Sequence, residues 1–365
     1  MEINPTTPSA VSKDFSGPPN PAQLGVKEFA AYDLVIDARS PREFAVDHVP
    51  GAKNLPVVND EQYARVGTIH KTDTHAAYLI GVQWSLANIA QHIASEIVHF
   101  RNGSHFLVYC FRGGKRSKLW ADNLRTIGFK VDVLPGGWKQ YRRWVQASLE
   151  AIAPTFTLRV LSGSTGSGKT RLLHALAKAG EQVLDLEAIA LHRGSLIGAV
   201  PGTPQPAQKG FDSALLNVLR SFDPARPVWL EAESKKIGNV QIPAALYESM
   251  HKTTPIKVVA PMAERVRLWR EDYRHFVEDP VAMVETLSPL KPLIGQQELT
   301  LWRDLAQAGQ VDELFQRVME QHYDPCYARS QKKYYKTADE APVLELRSLS
   351  ADSLAVVAAE LAGGR

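Results

Sequence analysis

The sequence predicts an α/β protein: an N-terminal open parallel-sheet domain, then a second α/β domain with a mostly helical C-terminal region. Three observations carry that expectation. Short apolar runs alternate with segments of helical spacing. Two of those runs end directly in Gly-rich basic loops that open a helix. An alanine-proline joint, Ala151-Ile152-Ala153-Pro154, separates the two loops.

The elements follow in order. Residues 1–21 are polar and proline-rich, with no basic n-region or apolar h-region, and read as a disordered leader rather than a signal peptide. Residues 22–150 form the first domain. Leu34-Val35-Ile36-Asp37 is a short buried strand, and Ser40-Pro41-Arg42-Glu43-Phe44 opens a helix with a cap, a first-turn proline and an acid. His48 to Pro56 is a turn leading to another short strand. Ala76 to about Phe100 has helical spacing, with Leu86, Ile89, Ala90, Ile93 and Ile97 on one face. Phe106–Tyr109 is a strand, a helix runs from Ser117 through Leu124, and Val131–Leu134 is a strand ended by Pro135-Gly136-Gly137.

Residues 151–262 form the second domain. Thr157–Leu161 is a strand that runs into a glycine loop, and Leu172, Leu173 and Leu176 mark the helix after it. Val183–Leu186, Val228–Glu231 and Ile256–Val259 are further strands. Residues 263–365 are mostly helical and complete this domain. The chain of 365 residues has ample length for such cores, and its 44% apolar and 22% charged content is that of a globular protein. Two cysteines, Cys110 and Cys326, exclude a disulfide framework and make a cytoplasmic, reducing location the expectation. No apolar run is long enough for a membrane helix. A net charge of +3 permits a nucleic-acid partner without demanding one.

The first loop is Cys110-Phe111-Arg112-Gly113-Gly114-Lys115-Arg116. A cysteine at a strand end, before a glycine turn and a helix N-terminus, meets several backbone N–H groups and the positive end of the dipole. Arg112, Lys115 and Arg116 add charge. The pattern predicts a thiol of lowered pKa beside an anion seat, with Cys110 as nucleophile. Cys326 has no comparable setting and reads as structural, as does His48.

The second loop, Gly163-Ser164-Thr165-Gly166-Ser167-Gly168-Lys169-Thr170, matches the P-loop pattern in full and in its strand–loop–helix context. Its amides cradle phosphates, Lys169 reaches between them, and Thr170 is placed to ligate Mg²⁺ if that ion binds. The pattern does not say whether the phosphates belong to a nucleotide or to another diphosphate ester. Asp185, Glu187, Glu231 and Glu233 close the following strands and are the candidate acidic partners. No tightly bound cofactor and no dedicated metal site is expected. Two basic segments offer contacts to RNA: Lys139, Arg142 and Arg143 among Trp138, Tyr141 and Trp144, and Lys332 and Lys333 in a loop with Tyr334 and Tyr335. An amphipathic helix with a solvated basic side describes the first segment and is the favoured reading there; an ordinary solvated loop describes the second equally well.

The first domain resembles a rhodanese domain in Asp37-Ala38-Arg39-Ser40-Pro41-x-Glu43-Phe44, in His48-Val49-Pro50-Gly51-Ala52-x-Asn54, in the position of Cys110 and in Leu134-Pro135-Gly136-Gly137-Trp138. Fused to a P-loop NTPase-like domain, and with Cys110-x-Arg112-Gly113-Gly114-x-Arg116-Ser117, the chain resembles the tRNA 2-selenouridine synthase family. Val66-Gly67-Thr68-Ile69, Gly136-Gly137-Trp138-Lys139-x-Tyr141-Arg142, Asp185-Leu186-Glu187, His192-Arg193-Gly194-Ser195 and Glu231-x-Glu233-Ser234-x-x-Ile237-Gly238 extend the likeness over roughly residues 30–260.

That resemblance implies a tRNA substrate carrying wobble 2-thiouridine and two steps. Geranyl diphosphate alkylates the sulfur, and selenium from selenophosphate then displaces the geranylthio group. Cys110 would carry the selenium, and the loop amides from Phe111 to Arg116 would hold its anionic adduct. The P-loop would hold the diphosphate. Three alternatives fit the same residues. Cys110-x5-Arg116-Ser117 also satisfies the cysteine-phosphatase pattern, although Tyr109 stands where those enzymes commonly carry histidine. A P-loop small-molecule kinase with a regulatory rhodanese module is a second, and a non-enzymatic tRNA-binding adaptor a third.

Overall fold

The computed structural model describes residues 18–335 and 340–363, so residues 1–17 of the expected leader lie outside them. The chain divides into two compact units. One comprises Met1–Ile152 with Pro206–Arg220, the other Ala153–Gln205 with Ser221–Arg365.

In the first unit, β1 (Leu34–Asp37), β2 (Lys53–Asn54), β3 (His105–Tyr109) and β4 (Lys130–Val133) form an all-parallel sheet of order β2-β1-β3-β4. In β1 and β3 the side chains on both faces are buried, which accounts for their continuous apolar runs. The helix Pro41–Val46 starts as its sequence predicts: Ser40 and Glu43 form a capping box with proline in the first turn. Helical spacing near Ala76 corresponds to Thr74–His92, continued by a π turn over Ile93–Ile97. The helix Asp60–His70 has no counterpart in the apolar spacing because it buries no residue. Ile36, Phe106, Val108, Trp120 and Leu124 make the core beneath the Cys110 loop.

The helix Gln208–Leu219, encoded beyond the P-loop, also belongs to this unit and buries Phe211, Leu215 and Leu216. It packs on Gly137–Ile152, whose one face buries Trp138, Tyr141, Trp144, Val145 and Leu149. The aromatic residues of that helix are therefore core, which settles the amphipathic reading for them.

The second unit is built on a parallel sheet of order β11-β10-β5-β7-β6. Its strands are β5 (Leu158–Ser162), β6 (Gln182–Leu184), β7 (Val228–Glu231), β10 (Ile256–Val259) and β11 (Val343–Glu345). A small antiparallel hairpin is made by β8 (Lys236–Ile237) and β9 (Val240–Gln241). Central β5 delivers the P-loop to the C-terminal edge of the sheet, where open α/β sheets bind ligands. Residues 262–335 are helical and pack around Trp269, Met283, Trp302, Leu314 and Phe315. The C-terminal region then returns as β11, paired in parallel with β10. That strand is three residues long and two of them are exposed, so no alternation announces it.

Candidate active site

Cys110 is 3% exposed, and the Gly114 N–H donates to its Sγ at 3.2 Å. The Ser117 hydroxyl lies 3.3 Å from the same sulfur and 3.0 Å from the Gly114 carbonyl, and its one proton can go to either. Burial raises the thiol pKa. The Ser117 hydroxyl and N–H, the Arg116 charge and the Arg112 N–H outweigh it, so the pKa ends below the ordinary cysteine value. The turn is fixed from behind by the start of the Gly137–Ile152 helix: Trp138 N–H donates to the Cys110 carbonyl and Lys139 N–H to that of Phe111. Gly137, at φ 59°, permits this approach, since a Cβ there would lie 2.2 Å from the Cys110 carbonyl oxygen.

The three loop cations differ in what they do. Arg116 pairs with Glu43 at 2.7 Å, and the Lys115 ammonium sits 3.5 Å from the Tyr78 ring centroid. Arg112 is exposed, makes no ion pair among the described residues and lies over Phe111, which itself stacks on Trp138. Below the loop a buried polar network locks the scaffold. Arg39 pairs with Asp37 at 2.6 Å and donates to the Asp47 carbonyl, while Asp47 accepts from Trp138 Nε1 and Ser213 Oγ.

Arg142 belongs to that network and corrects an expectation. It is 7% exposed and binds Asp212 at 2.7 Å and the Lys209 carbonyl at 2.8 Å, so its guanidinium is committed inside the unit and unavailable to RNA. Lys139 and Arg143 remain on the exposed side of the helix. Lys333 is exposed in the last turn of the helix Asp324–Tyr334, where a loop was expected; the side chain of Lys332 lies outside the described residues.

In the second unit the P-loop runs from β5 to the helix Lys169–Lys178. Lys169 Nζ donates to the Gly163 and Ser164 carbonyls at 2.9 and 3.4 Å. Thr170 Oγ1 donates to Glu231 Oε1 at 2.6 Å. The Ser167 hydroxyl is buried with no hydrogen-bond partner, as expected of a donor waiting for an acceptor inside the loop. Gly163, at φ 148°, passes so close to β10 that a Cβ would stand 2.3 Å from the Val258 carbonyl oxygen. Thr170 and Glu231 together offer hard oxygen donors of the kind Mg²⁺ takes alongside substrate phosphates. Among the described residues no cluster of three or more His, Cys, Asp or Glu is placed to hold a metal alone.

Three of the four candidate acids converge here. Glu187 and Glu233 both reach toward Gly194, where an added Cβ would lie 2.9 and 3.3 Å from their carboxylates. Burial, then repulsion from Glu231, pushes Glu233 up to about 7; burial with Glu231 and Glu233 beside it pushes Glu187 up to about 10. Burial also raises Glu231, against the pull of Lys169 and Thr170. Asp185 instead caps the helix Leu186–Ala190 and meets His174 Nε2 at 2.8 Å.

A cavity of about 640 Å³ opens over this loop. Residues from distant segments brace the loop or line this cavity, and no contiguous motif marks them. Arg265, 6% exposed, donates twice to the Thr165 carbonyl and pairs with Asp324 at 2.6 Å. Tyr327 accepts from the Gly163 N–H. Tyr247, His251, Tyr334 and Tyr335 form one aromatic cluster at the cavity wall. Arg193 also lines the cavity, two residues after Leu191, the one non-glycine with positive φ among the described residues. Cys326, half-buried, borders it beside Arg329 at 3.2 Å.

Comparisons with known proteins bear on both units. A family model described as a rhodanese-like domain matches residues 23–143, and one described as a tRNA 2-selenouridine synthase AAA domain matches residues 156–288. The tRNA 2-selenouridine synthase of Nitrosomonas europaea is 36% identical over 280 residues, covering 74% of this chain and 72% of that protein. That of Nitrosomonas eutropha is 34% identical over 300 residues, covering 77% and 76%. The Marinobacter nauticus protein of the same name is 37% identical over 243 residues, covering 66% and 65%. No helix among the described residues is long and apolar enough to cross a membrane. With an activated thiol, a complete P-loop and relatives of this extent, the chain is an enzyme of the tRNA 2-selenouridine synthase family.

Proposed function

We propose that this enzyme converts wobble 2-thiouridine in tRNA to 2-selenouridine in two steps, each served by one unit. In the first, the thiouridine sulfur displaces diphosphate from geranyl diphosphate at the P-loop. In the second, selenium from selenophosphate, carried at Cys110, displaces the geranylthio group. The observation that carries this reading is the pairing, on one chain, of a lowered-pKa thiol in an amide cradle with a phosphate cradle bordered by aromatic rings.

Loss of diphosphate requires neutralising the charge that develops on its bridging oxygen. Lys169, turning from its loop carbonyls, joins the loop amides and the Ser167 hydroxyl in supplying donors for it. Mg²⁺, if recruited by Thr170 and Glu231, would add charge neutralisation at the same oxygens. The Tyr247–Tyr335 cluster offers an apolar surface to the isoprenoid chain. At Cys110, donors from Gly114 and Ser117 favour the anionic sulfur or its selenium adduct, and exposed Arg112 is free to meet the selenophosphate. Lys139, Arg143 and Lys333 are candidate contacts for the tRNA backbone. Such chemistry on tRNA belongs in the cytoplasm.

A cysteine phosphatase would need Arg116 on its substrate, and the pairing of Arg116 with Glu43 counts against that alternative. The test is to incubate the enzyme with 2-thiouridine tRNA, geranyl diphosphate and selenophosphate and to weigh the nucleosides. Geranylated nucleoside in the absence of selenophosphate, and selenouridine in its presence, are expected. Selenouridine formation that needs ATP and ignores geranyl diphosphate would overturn the P-loop assignment.

A further inference from the structure

The helices Asp60–His70, Thr74–His92 and Lys115–Ile127 of the first unit border an open groove of about 600 Å³, within the size range of small-ligand sites. Its walls are apolar: Val57 and Val58 lie at the base, and Tyr63, Tyr78 and Val82 face it while 43–49% exposed. Its rim carries Lys115, Arg116 and Lys118 on the side of the Cys110 loop, with Asp122 further along the same helix, so cations outnumber acids there. Arg116 joins the two places. It acts on the Cys110 sulfur through its charge and lies 5.5 Å from the Tyr63 ring centroid in the groove.

Gly67 marks where the groove opens on this helix. It interrupts the helix Asp60–His70, where glycine is a poor former, and a Cβ added there would meet nothing within 4 Å. Neither backbone conformation nor close packing asks for glycine at this position. Gly67 is exposed at the groove's edge and lines it, so a side chain added there would take up space at its mouth.

An apolar hollow with a cationic rim beside a nucleophile fits an apolar chain attached to an anionic molecule. We infer that this groove seats the isoprenoid chain of S-geranyl-2-thiouridine tRNA while the geranylthio group is exchanged for selenium. The assignment rests on the two-step reading above and gives its second step a specificity site. In that step the selenium nucleophile adds to C2 of the base, forming C–Se. Collapse breaks C2–S, and the bond pair leaves on the geranylthiolate, which takes a proton from water. The selenium nucleophile is selenophosphate held at the Cys110 loop; after transfer, water attacks phosphorus and breaks the Se–P bond, releasing phosphate and leaving the bond pair on selenium. The groove holds the departing chain in line and gives the released thiol an apolar exit.

The test compares tRNAs carrying S-geranyl- and S-methyl-2-thiouridine, with wild type, Val82→Asp and Gly67→Leu. Val82 is half-exposed, so the aspartate changes the groove without burying a charge in the core. Wild type is expected to bind and convert the geranyl substrate better than the methyl one. In both variants that preference should fall by roughly tenfold or more, the scale on which an apolar pocket discriminates chain length. A preference untouched by both substitutions overturns the proposal. Binding measured without selenophosphate separates the two readings. Geranyl-dependent affinity lost in Val82→Asp sustains the groove even if no selenium is transferred. Equal affinity for the two tRNAs overturns it even if conversion proceeds.

Discussion

The two loops start from the same geometry, a parallel strand ending in a glycine turn at a helix N-terminus, and use it differently. At Cys110 the object of the donors is an atom of the chain itself, held by Gly114 and Ser117. At the P-loop the lysine bonds its own loop carbonyls, and a buried serine hydroxyl has no partner. One cradle is defined by its covalent content, the other by whatever phosphate enters. That is why the first announces its chemistry and the second announces only a phosphate.

Removing the defining atom of each loop gives the sharpest contrast. Cys110→Ser should lower selenouridine formation by at least about a thousandfold, the scale of losing a nucleophile, while geranylated nucleoside accumulates. Loss of both products together would break the division of labour. Lys169→Ala should slow geranylation by about a hundredfold or more and leave the alkylation rate of Cys110 by iodoacetamide unchanged.

Arg265→Ala tests the support rather than the cradle. It removes two bonds to the Thr165 carbonyl and strands Asp324, and should cost the second unit about 3 kcal/mol in urea unfolding. An unchanged midpoint would show that the loop supports itself.

Smaller effects follow from protons. Glu233 is neutral below about pH 7 and charged above it. Diphosphate binding measured without Mg²⁺ should therefore weaken as pH rises through 7, and Mg²⁺ should flatten the slope. The second unit should also lose stability as pH rises from the ordinary glutamate range toward 7, because the folded state there keeps a proton that the unfolded chain releases. At the other loop, Ser117→Ala should raise the pH midpoint of Cys110 alkylation, since it removes a donor to the thiolate.

What could be read beforehand divides along the same physical line. The strands β1, β7 and β10 and the start of the helix at Pro41 were legible because buried runs and capping residues are local signals. The helix Asp60–His70 was not, since it buries nothing, and neither was β11, which depends on pairing with β10. Cys110 and Lys169 stand inside contiguous motifs. Arg265, Tyr327 and the aromatic wall reach the P-loop only through the fold. Arg142 misled because its neighbours in sequence are basic and aromatic, while its partners in space, Asp212 and Ser213, lie some seventy residues away.

Those partners have a consequence for how the protein is made. Asp212 and Ser213 sit on Gln208–Leu219, encoded within the stretch that matches the second family model, yet they complete the polar network beneath the Cys110 loop. During synthesis the first unit remains unfinished until residue 220 has left the ribosome, well after the P-loop has emerged. A fragment cut at the joint after Ile152 would keep the cysteine and every loop residue, yet take Asp212 from Arg142 and the Ser213 donor from Asp47.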